Sequence, residues 1–150
     1  MALINVMRTW ADDALLATQR AGEAQRALGS LVRDARAVHE TELAVADGGT
    51  WDEPMEALRD LAEDGNRGLW DAWTKTDAAR TVLTRAAAKH PGGDGRTELI
   101  GARDAADRSV QLLDAWISEG GRSTPLARVE SAVSAQLQEL RRLAGAALDA

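Results

Sequence analysis

Apolar residues recur at alternating intervals of three and four from the start of the chain: Leu3, Met7, Trp10, Ala14, Ala17, Ala21, Ala24, Leu28, Leu31, Ala35, Val38 and Val45, with Glu42 the one polar member of the series. That spacing keeps one helical face turned toward a partner helix. It runs for about six heptads without a proline, so the pattern predicts a single helix over 1–46, roughly 60 Å long. A rod of that length cannot bury its own stripe and needs helices of this chain, of a second copy or of a partner to cover it.

The remaining chain reads as such cover. Asp47, Gly48 and Gly49 tolerate a left-handed helix end. Thr50 with Glu53 forms a capping box around Trp51, and Pro54 falls in a first turn, where its missing N–H costs little. The second helix, 50–90, then carries Met55, Leu58, Ala62, Gly65, Leu69, Ala72, Thr76, Ala79, Leu83 and Ala86 inward. Gly65, Asn66, Arg67 and Gly68 are poor helix formers, each interior glycine costing about 1 kcal/mol against alanine, so a kink or break is expected near 65–68. His90 to Gly95 is a loop, after which Thr97 caps a third helix, 97–118, with Leu99, Ala102, Ala106, Ser109 or Val110, Leu113, Trp116 and Ile117 inward. Gly120 and Gly121 end it, and Ser123, Thr124 and Pro125 start a fourth helix, 124–149, with Leu126, Val129, Val133, Leu137, Leu140, Ala144 and Ala147 inward. The expected fold is all-α: a single domain, 1–150, forming an antiparallel helical bundle of four or five helices built on the long N-terminal heptad helix.

Composition narrows the chemistry. The chain has five Trp but no Phe, Tyr or Cys, and a formal charge of −6. The absence of cysteine removes disulfides and thiolate nucleophiles. A net negative field repels phosphate backbones, so nucleic acid is not an expected partner. No stretch reaches the ~20 apolar residues of a membrane span, and the apolar start runs straight into Arg8 and the heptads rather than into a signal-peptide pattern. A cytoplasmic location is expected, with export lacking a classical signal peptide left open.

Catalytic and metal motifs are incomplete. His39-Glu40-Thr41-Glu42 begins a zincin motif but has Leu43 in place of the second histidine. Neither His39 nor His90 has a glutamate three residues before it. Gly92-Gly93-Asp94-Gly95 lacks the Lys-Ser/Thr ending of a phosphate loop. The pair Asp12 and Asp13 and the cluster Asp60, Glu63 and Asp64 are read as solvated helix faces. No cofactor, catalytic residue or metal ligand is expected.

The tryptophans carry the remaining signal. Trp10 and Trp116 fall on inward stripes, and Trp73 flanks one. The row of Trp70 continues through Thr74, Asp77 and Thr81, which turns a large ring toward water, and exposed Trp is enriched at binding hot spots. Trp51 at a hairpin tip and Leu43 beside His39, Glu40 and Asp47 raise the same question. The leading expectation is a non-enzymatic interaction or assembly protein that binds itself or a protein partner through Trp70, Trp51 and Leu43. A bundle binding a small molecule in a cavity lined by Trp10, Trp73 and Trp116 is the alternative, and a carboxylate enzyme using the inward Glu42 is a third.

Over residues 1–90, two long helices joined by a turn containing Trp51 resemble the WXG100 family of small secreted helical hairpins. The resemblance implies export and dimerisation. Glu53 stands where that family has glycine, and this chain adds a second hairpin.

Overall fold

The structure, a computed structural model, describes the backbone of residues 2–46, 52–118 and 126–150 and the side chains of 10–33, 68–118 and 128–150. Four helices and no strand are present among the described residues: α1 (Ala2–Ala46), α2 (Asp52–Lys89), α3 (Arg96–Ser118) and α4 (Leu126–Asp149). α1 packs against α2 and α4, and α3 packs against the same two, so the helices follow one another around a common core in a bundle-like arrangement. Neighbours run in opposite directions. Arg80 meets Asp107 while Trp73 meets Asp114 across α2 and α3, and Asp13 meets Arg85 across α1 and α2.

The core is built from small residues on α1 and larger ones opposite. Ala17, Ala21, Ala24 and Leu28 are fully buried with Leu83, Leu113, Leu137 and Leu140 in one cluster. At the end of the molecule formed by the α2–α3 loop, Trp10, Ala14, Ala86, Ala87, Leu99 and Ala147 form a second. Alanine at a seam lets backbones approach to the short end of the usual interhelical range, ~8 Å. Two buried hydroxyls on the inward faces, Thr76 and Ser109, donate to the carbonyls of Ala72 and Ala105 one turn back, so neither leaves an unsatisfied polar group.

Two expectations are corrected. α2 is one unbroken helix through Gly65–Gly68, so the break, one half of the kink-or-break expectation, is overturned and four helices are described. The reason is visible at Gly68, where an added Cβ would lie 3.2 Å from Cγ of Leu31 on α1. Glycine at this crossing admits the Leu31 side chain, and packing outweighs the weak propensity. α3 begins at Arg96 rather than being capped by Thr97: the Gly95 carbonyl accepts the Leu99 N–H at 2.9 Å. Gly95 has φ +86°, and a Cβ there would stand 2.8 Å from the Ala147 carbonyl oxygen. Only glycine serves this corner, because the backbone turn and the close approach of α4 fall on the same residue. The loop end is closed by Arg96, whose Nη1 donates to the carbonyls of Ala87 and His90 and so satisfies the end of α2.

Candidate interaction surface

Trp70 and Trp73 lie three residues apart on α2 and therefore on neighbouring rows of its surface. Trp73 is half-buried against the core, and its Nε1–H donates to Oδ1 of Asp114 on α3 at 2.7 Å. That bond fixes the ring. Trp70 stands outside it, 57 % exposed, with its ring edge-on to Trp73 at a centroid separation of 6.0 Å and an angle of 75°. The arrangement is one aromatic pairs prefer electrostatically, a ring edge directed at a ring face. Along the Trp70 row, Thr74 and Thr81 are exposed, and Asp77 is held by Arg80, which also reaches Asp107 of α3. The large ring thus rises from a border of short polar side chains. Elsewhere among the described residues, Leu15, Leu112 and Leu148 are the other large apolar side chains exposed, one on each remaining helix.

The three tryptophans considered as a cavity lining are not gathered together. Trp73 and Trp116 are both half-buried against the larger cluster, whereas Trp10 belongs to the smaller one. Trp10 is 9 % exposed and stacks on His90 with ring centroids 4.4 Å apart and planes 14° from parallel. Its Nε1–H is buried without a hydrogen-bond partner. His90 Nε2 bonds the Asp94 carbonyl at 2.9 Å, so this histidine is a part of the loop's packing. Trp51 and the side chains of Leu43, Glu42 and His39 lie outside the described residues, as do those of Asp60, Glu63 and Asp64.

Asp13 corrects the reading of Asp12 and Asp13 as a solvated pair. Asp12 is exposed, but Asp13 is only 8 % exposed and receives Arg85 at 3.3 Å and Lys89 at 3.1 Å from α2. The signal was available: Asp13 adjoins the stripe residue Ala14, and Arg85 and Lys89 are four apart on the helix expected to face it. Among the described residues no group of three or more His, Asp or Glu side chains could hold a metal ion. No described helix is long and apolar enough to cross a membrane.

Comparison with protein-family models, curated proteins and solved structures found no match for this chain.

Proposed function

We propose that the chain is a non-enzymatic helical assembly protein that pairs with a second copy of itself through the edge of α2 centred on Trp70. The observation that carries this reading is the exposed Trp70 ring held by Trp73, itself tied to Asp114. A large ring braced against a second, hydrogen-bonded ring has less side-chain freedom to lose on docking than one standing alone, which suits a binding anchor. Along its own row the border is threonine and an Asp77 already paired with Arg80.

Sedimentation velocity over a hundredfold range of concentration tests the reading. The wild type should move from monomer to dimer, and Trp70→Ala should stay monomeric at least tenfold higher in concentration while keeping its helical circular dichroism. A wild type that is monomeric throughout would overturn self-pairing.

A further inference from the structure

The four helices differ in length, which leaves one end of the arrangement two helices thick. α1 and α2 have 45 and 38 residues, α3 and α4 only 23 and 24. α2, α3 and α4 are level at one end, where Gly95, between α2 and α3, lies against the Ala147 backbone near the end of α4. At the other end α3 stops at Ser118, one turn past the bond from Trp73 to Asp114. α2 exceeds α4 by 14 residues, about 20 Å of helix. The pairing of Trp10 with His90, Asp13 with Arg85 and Leu31 with Gly68 fixes the register of α1 on α2. That register sets residues 34–46 against 52–67, beyond the reach of α3 and α4.

Within the bundle α1 has α2 and α4 as neighbours, and α2 has α1 and α3. In the projecting hairpin each keeps only the other. The apolar rows nevertheless continue. Leu28 and Leu31, both buried, are followed in the α1 row by Ala35, Val38 and Val45, and Ala72 and Ala79 of α2 are preceded in theirs by Ala62, Leu58 and Met55. Residues 119–125, which join α3 to α4, are Glu, Gly, Gly, Arg, Ser, Thr and Pro, and so bring no large apolar side chain as cover.

Charge is as uneven as length. Residues 34–67 hold ten Asp or Glu against three Arg, a net of −7, while the rest of the chain, with 14 acidic and 15 basic groups, is +1. The net charge of the molecule is thus concentrated on the projecting hairpin. Glu42 sharpens the requirement, because it holds a position in the α1 row that is otherwise apolar. An apolar cover would strand its carboxylate away from both water and a cation. The hairpin of a second copy is a poor cover for a further reason, since it would lay −7 against −7.

We propose that the projecting hairpin docks a basic amphipathic helix of a partner protein. About 14 residues of helix span the uncovered length, with an apolar face on the two rows and Lys or Arg toward Glu42 and the carboxylates of 52–64. A helix laid along the groove between two others supplies there the layer that α3 and α4 supply nearer the 90–95 loop. This inference does not rest on pairing through Trp70, which lies outside 34–67.

The test is titration of the full chain with a capped, roughly five-turn helical peptide carrying Leu along one face and Lys elsewhere, followed by amide NMR and calorimetry. Saturable shifts are expected within 34–46 and 52–67. Glu42→Gln combined with Glu63→Gln should weaken binding at least tenfold with circular dichroism unchanged, as should scrambling the peptide at constant composition, whereas Trp70→Ala should bind as the wild type does. Absence of saturable shifts, shifts confined to α3 and α4, equal binding of the scrambled peptide, unchanged affinity in the Glu variant or loss of binding in Trp70→Ala would overturn the proposal. So would a dimer that survives Trp70→Ala but is lost in Val38→Ser with Leu58→Ser, since the hairpin would then belong to a second copy.

Discussion

Glycine has opposite meanings at different points of this chain, and the distinction is a matter of what surrounds each one. Gly29 in α1 has open space where a side chain would begin, so Gly29→Ala should raise unfolding free energy by about 1 kcal/mol through helix propensity alone. Gly68→Ala should yield less, because Leu31 must first give way. Gly95→Ala should lower stability by roughly 2 to 3 kcal/mol, since the strain of a positive φ adds to a clash with the Ala147 backbone. Urea midpoints of the three variants should fall in that order. The same residues mark the limit of what sequence shows: Gly65 and Gly68 predict a break by propensity, and only the position of Leu31 on another helix reveals why none occurs.

At the scale of helices, the inward stripes were legible because burial follows the three-four spacing: Ala14, Ala17, Ala21, Ala24, Leu28 and Leu31 on α1 are buried, as are Val133, Leu137, Leu140 and Ala144 on α4. Ala21→Leu should therefore cost about 1 to 3 kcal/mol by forcing apart helices that meet on a fully buried methyl group, readable as a lower thermal midpoint. What spacing along one helix could not reveal was pairing across helices. Asp13 borders the α1 stripe, and its role depends on which turn of α2 lies opposite. Asp13→Ala should cost about 1 to 2 kcal/mol, below the figure for a fully buried pair because Arg85 and Lys89 remain partly in water. A second link joins the same helices. Glu23 lies below the usual carboxylate range, chiefly through its hydrogen bond from Lys75 on α2, with burial opposing and Arg20 assisting. A carboxyl depressed in the folded state stabilises it above its unfolded pKa, ~4.3, and that contribution is lost as the pH falls through the folded value. Thermal midpoints of wild type and Glu23→Gln should differ at pH 6 and converge in acid below the carboxylate range.

Across the whole molecule, the proposed pairing face follows the contact of α2 with α3, one edge of a four-helix arrangement in which α1 to α4 succeed one another around the core. The proposed pairing of copies through Trp70 would link folding to protein concentration by mass action. The wild-type thermal midpoint should consequently rise over a hundredfold increase in concentration, while that of Trp70→Ala should stay constant. Trp70 itself was legible because its row leaves the apolar stripe.

The hydrogen bond from Trp73 to Asp114 places control of the presented ring on a helix that does not carry it. In the proposed assembly, a change at Asp114 would leave Trp70 chemically intact yet free to swing, so attachment strength could be tuned by degrees from behind. Such a tether separates how firmly the surface grips from what it grips.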